Sequence, residues 1–173
     1  MLRPVDIAVL LKLTLQGAAE MSFQQLASDL HLSSSEVHGS CKRSNLSRLL
    51  NQGVRKTVNR IALMQFLEHG LRYAFPVEQG ALSRGIPTAY AAEPLRSAIQ
   101  QGNDPPPVWP YVEGTVRGYS LAPLYKRAAL ASLADPQLYE LLSLVDALRD
   151  GRIRERKLAL EMLTERIYQR QES

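Results

Sequence analysis

Between residues 34 and 42 the chain places Ser34, Ser35, His38 and Lys42 at spacings that bring them to, or beside, one face of a helix. Hydroxyl, imidazole and ammonium groups in that arrangement can donate and accept hydrogen bonds along a polar surface. Gly39 and Arg43 share this side. A glycine inside a helix costs about 0.5–1 kcal/mol relative to alanine, so Gly39 implies a close approach, either to a ligand or to another helix. Arg48, Arg55, Lys56 and Arg60 follow, all cationic, and Gln24 and Gln25 precede. Such groups suit contacts with an anionic polymer: amides and charges on its backbone, shorter polar groups on its distinguishing edges.

Other chemistries lack their residues. The three histidines (His31, His38, His69) are scattered, Glu68-His69 is too small a cluster, and Cys41 is the one cysteine, so neither a metal site nor an internal disulfide is expected. Cys41 falls on the inner side of the helix and reads as a small buried hydrophobe. No Ser/His/Asp set, carboxylate pair or Gly-rich phosphate loop stands out. The expectation is a protein that is not an enzyme and needs no cofactor.

Two helices joined by a tight turn must carry these residues. The first runs from Met21 to Leu30 with Ser22 as its N-cap and Leu26, Ala27 and Leu30 facing inward. His31-Leu32-Ser33 is the turn. Ser33-Ser-Ser-Glu36 is a capping box that starts the second helix, whose buried stripe is Val37, Cys41 and Ser44. That is the layout of a helix-turn-helix, in which the second helix enters the major groove of duplex DNA.

Charge supports the same partner. Of the +4 net charge, all lies in residues 1–60, where Arg3, Lys12, Lys42, Arg43, Arg48, Arg55, Lys56 and Arg60 face Asp6, Glu20, Asp29 and Glu36. The remainder of the chain is neutral. A polyanion at the helix-turn-helix is the simplest physical account. Ser34, Ser35, His38 and Lys42 are then expected at base edges. Gln24 and Gln25 are expected at phosphate, and Arg43, Arg48, Arg55, Lys56 and Arg60 at the DNA backbone.

Over about residues 20–50, the order Leu26-Ala27, Leu30, Leu32-Ser33, Ser35, Val37, Cys41 resembles winged helix-turn-helix regulators such as the MarR and related bacterial families. The resemblance implies a dimer whose paired recognition helices read a roughly palindromic operator. His31 stands where glycine is common in the turn. After Arg48, Asn51-Gln-Gly53 breaks the helix, and from Thr57 a further helix, with Val58, Ile61, Ala62, Phe66, Leu67 and Leu71 as its apolar positions, is predicted to about Tyr73.

The flanking chain suggests a mainly α fold: an N-terminal (winged) helix-turn-helix, a small β hairpin and a helical C-terminal part. Residues 4–16 read as a helix opening at Pro4, apolar nearly all round, whose second cover is expected from another subunit. Residues 72–92 suggest an edge hairpin around Gly80–Gly85, serving as a wing. The division is residues 1–92 for DNA binding, 93–122 as a Pro-rich connector with a short strand in 114–121, and 123–173 as a helical dimerisation or partner-binding region. In the last, helices are expected over Pro123–Leu133, from Asp135 to Gly151 with Leu138, Leu141, Leu142, Val145 and Leu148 as a stripe, and over Arg152–Arg170.

The composition, 45% hydrophobic and 22% charged, is that of a folded protein. Asp6 and Lys12 interrupt the short apolar run Ile7–Leu11, so it reads as neither leader nor membrane span, and a cytoplasmic location is expected. The expected function is a sequence-specific transcriptional regulator acting on double-stranded DNA as a homodimer. One alternative is an antitoxin that represses its operon and neutralises a toxin protein through its C-terminal half. Another is an interaction adaptor that keeps the fold without binding DNA.

Overall fold

The computed structural model describes residues 1–53 and 55–169; Arg170, the expected end of the last helix, lies outside the described residues. The architecture is helical around a small sheet. In chain order the elements are α1 (Pro4–Leu13), α2 (Phe23–Leu30), α3 (Ser34–Leu46), α4 (Arg60–His69), α5 (Leu71–Ala74), β1 (Gln79–Pro87), α6 (Leu95–Ala98), β2 (Pro107–Pro110), β3 (Val116–Leu121), α7 (Ala128–Ala134), α8 (Pro136–Asp150) and α9 (Ile153–Gln169). Single 3₁₀ turns occupy Ala18–Glu20 and Ala89–Ala91.

Helix α1 is the hub. Every residue from Asp6 to Leu13 is buried, which is what an all-round apolar helix requires. Its cover comes from this same chain, since α1 packs on α3 and on α8. The expectation that a second subunit covers it is corrected: the C-terminal helices, distant in sequence, supply the missing side. Lys12, buried within this helix, reaches Asp29 of α2 at 2.9 Å and Asp135, the cap of α8, at 2.7 Å. Burial pulls its ammonium down, but the hydrogen bonds and charges of the two carboxylates outweigh this and raise it above 10.5.

Helices α2 and α3 form as expected. Ser22 accepts from Gln25 N–H and Ser33 from Glu36 N–H, and in both boxes the third residue's side chain answers the cap's own N–H. His31 ends α2 in the left-handed conformation at φ 55°, a conformation histidine adopts more readily than most side chains.

The chain leaves α3 through Arg48, also left-handed at φ 59°, and then pairs Leu50 with Val58 in an isolated antiparallel bridge. Asn51 N–H donates to Thr57 O and Asn59 N–H to Leu49 O, so the two ends of the 51–57 segment are held together beside α3. Helix α4 is capped by Asn59, whose side chain accepts from Ala62 N–H, so it begins later than the expected Thr57. Its buried residues are Leu63, Met64 and Leu67, while Ile61 is 65% exposed. Of the expected apolar positions, Val58, Leu67 and Leu71 are buried, Ala62 and Phe66 are half-buried against the core, and Ile61 turns outward.

No hairpin forms within 72–92. Residues 79–87 are a single strand whose partners lie far along the chain: β1 pairs antiparallel with β3 from Gln79 to Gly85 and with β2 from Gly85 to Pro87. Strands β2 and β3 run parallel, which closes the three on one another. The glycines serve close approach and not a turn. A Cβ on Gly85 would collide with Trp109 O, and one on Gly118 with Pro106 O.

The Pro-rich stretch therefore contains a strand, and Trp109 is sealed in the core. Trp109 Nε1 donates to Asp146 at 2.6 Å, beside Thr88 Oγ1 at 2.7 Å and Arg149 at 3.0 Å. These bonds fasten the sheet to α8. Burial pushes the Asp146 carboxyl up, opposed by Arg149, Thr88 and Trp109. Asp135 caps α8, and Leu138, Leu141, Leu142, Val145 and Leu148 are all buried. In α9, Ala159, Leu163 and Ile167 face the core, while Ile153 is exposed. No helix among the described residues is long and apolar enough to cross a membrane.

Candidate nucleic-acid interface

Helix α3 divides cleanly. Val37, Ser40, Cys41 and Ser44 are buried against α1 and α2, while Ser34, Ser35, His38 and Lys42 are exposed. Burial raises the Cys41 thiol, as expected for a packing residue and not a reactive one. Leu46, one turn beyond Lys42, continues the exposed side at 79% exposure.

Gly39 is not packed against another helix. The one atom a Cβ would meet within 4 Å is Arg43 Nη1, at 3.3 Å. The missing side chain leaves room for Arg43 to cross the helix surface. Arg43 then forks onto Asp6, with Nε 2.9 Å from Oδ2 and Nη2 2.7 Å from Oδ1. Asp6 is fully buried and also accepts the Arg3 N–H that opens α1. The Asp6 hydrogen bond is the main reason the Arg43 guanidinium is raised further. Arg43 is thus a strut between α1 and α3, which corrects its expected role as a backbone contact.

Arg60 is corrected in the same way. Its guanidinium donates to Ile167 O at 2.6 Å and to Thr14 O at 3.3 Å, so it ties α9 to the end of α1, and burial lowers its pKa. Unlike these, Arg48 and Arg55 are exposed, as is Gln24. Gln25 is exposed, yet its side-chain oxygen is occupied by the Ser22 N–H.

Lys56 returns toward α2 to lie 5.0 Å over the Phe23 ring, and His38 meets the same ring edge-on, with centroids 5.2 Å apart. Phe23 is not among the expected residues. It links the first turn of α2, the middle of α3 and the 51–57 segment, and so sets where Lys56 and His38 stand relative to each other. An aromatic residue directly after an N-cap is the sequence signal that could have found it.

The arrangement presents hydroxyl, imidazole and ammonium groups on one helix face, flanked by cations at Arg48, Arg55 and Lys56. Among the described residues, no three His, Cys, Asp or Glu side chains come together to hold a metal ion. Comparison with known proteins returned no matching family model, no matching curated protein and no matching solved structure.

Proposed function

We propose that the protein is a cytoplasmic, sequence-specific DNA-binding regulator of transcription whose helix α3 enters the major groove. The division of α3 into a buried stripe and an exposed polar face, on a helix whose start is set by the Ser33–Glu36 box, carries this reading. Ser34, Ser35, His38 and Lys42 address base edges, and Leu46 meets a thymine methyl. Gln24, Arg48, Arg55 and Lys56 address phosphates. A palindromic operator calls for a homodimer. With α1 enclosed, pairing falls to exposed apolar residues of the C-terminal helices such as Leu133 and Ile153.

A mobility shift with the DNA upstream of the protein's own gene tests the reading. Log K is expected to fall with log [salt] with a slope near −0.9 per phosphate contact. Lys42→Ala is expected to weaken the complex while leaving the thermal melt in place. A wild-type protein that shifts neither this duplex nor a random one would refute the proposal.

A further inference from the structure

Beside the start of α3 lies a groove of about 870 Å³, formed where the segment joining β3 to α7 passes the helix-turn-helix. One wall is the turn and the first residues of α3, with His31, Ser33 and Glu36. The other wall carries Lys126 and Arg127, both exposed and without an ion-pair partner among the described residues. Its floor is apolar, including Ala27 and Leu32.

The second wall is held firmly. Tyr125, immediately before the two cations, is buried and donates its hydroxyl to Leu30 O at 3.0 Å, the last residue of α2. Helix α7, which follows, packs on α2. Lys126 and Arg127 therefore keep a set position relative to the recognition helix. The Glu36 carboxylate shares the groove, but it accepts the Ser33 N–H at 2.7 Å. Ser33 chiefly holds this carboxyl below its usual range; Arg127, which lines the same groove, adds to this through space.

We infer that this groove seats a phosphodiester strand of the bound duplex, with Lys126 and Arg127 as phosphate contacts contributed by the C-terminal half. The inference rests on the DNA-binding reading and extends it. A strand passing the first turn of α3, where Ser34 and Ser35 face bases, runs along the wall that carries the two cations. Phosphate contacts set register and affinity and carry no base preference. The neutral second half of the chain would then take part in docking instead of only answering to a partner.

The test is a fluorescence-anisotropy titration with two labelled duplexes, one from the protein's own upstream DNA and one of random sequence. Lys126→Ala with Arg127→Ala is expected to weaken binding to both about tenfold at low salt, and to flatten the salt slope by about 0.9 for each phosphate no longer neutralised. The ratio between the two duplexes should stay as in the wild type. Arg154→Ala, an exposed cation on α9, is the charge control, and Lys126→Arg with Arg127→Lys should retain binding.

If Lys42→Ala weakens binding and the double variant does not, the groove inference is overturned and the α3 reading stands. If the double variant alters the preference between duplexes, its side chains read bases and the phosphate assignment is wrong. If the wild type binds neither duplex, the DNA-binding reading itself fails and the inference with it.

Discussion

Arg43 and Asp6 form a two-pronged ion pair that ties helix α3 to the first turn of α1. Asp6 has no solvent access, and Arg43 retains some. Removing either partner leaves the other's charge uncompensated. Arg43→Ala strands a fully buried carboxylate and is expected to cost about 3 kcal/mol in urea unfolding. Arg43→Lys should recover little, because an ammonium cannot reproduce the fork. Lys42→Ala, next to it but exposed, should leave the unfolding midpoint within experimental scatter. If Arg43→Ala proves as stable as wild type, the strut assignment is wrong and Arg43 returns to the DNA-contact set.

A second buried group holds the other half of the molecule. Trp109 Nε1, Thr88 Oγ1 and Arg149 converge on Asp146, joining the sheet to α8. Trp109→Phe keeps most of the apolar volume but leaves the carboxylate short of one donor. A loss of about 1–3 kcal/mol in stability is expected for the unsatisfied acceptor. Thr88→Val should do the same to a similar degree, and the two effects should not add, because they share one carboxylate.

The features that could be read from the sequence are those whose partners lie within three or four residues. Ser22, His31, Ser33 and Glu36 satisfy neighbouring backbone groups, so caps, turn and buried stripe of α2 and α3 appear directly in the pattern. Arg43 and Arg60 could not be read this way. Their partners are 37 residues away in one case and 46 and 107 in the other, and a cation's type does not say whether it faces solvent or a buried carboxylate. The sheet failed for a related reason: glycines at 80 and 85 look like a turn, yet Gly85 is spaced to let Trp109 O pass. The Leu50–Val58 bridge is one pair of residues, too short for any alternation to announce it.

Alkaline pH should destabilise the protein through Lys12 and its buried tyrosines. Lys12 is raised above 10.5 by its two carboxylates, so the stability it contributes is complete below that value and disappears as pH climbs through the folded pKa. Burial raises Tyr125, and it pushes Tyr139 up to about 12. Buried neutral phenols act in the same direction: the unfolded chain releases these protons from about pH 10, the folded one later. Thermal melts are expected to fall progressively between about pH 10 and 12. Tyr139→Phe, which loses the Pro87 carbonyl bond but cannot ionise, should lessen the upper part of that decline. A melt that is flat across this range would contradict the assignment.

Arg84 and Arg117 stand directly opposite each other on β1 and β3, both exposed, with no carboxylate in contact with either among the described residues. Cross-strand pairs on one face place their Cβ atoms about 5 Å apart, where like charges repel. Arg117→Glu converts that repulsion into attraction without altering the backbone hydrogen bonds. A gain of about 0.2–1 kcal/mol in urea unfolding is expected, with Arg117→Gln giving roughly half. Because both groups face water, the gain should shrink as salt rises toward 1 M, where the screening length is about 3 Å. A stabilisation that survives high salt would mean that packing, and not charge, separates these variants from the wild type. A destabilisation would mean that the two guanidiniums stack favourably across the strands, and the repulsive reading of the pair would have to be abandoned.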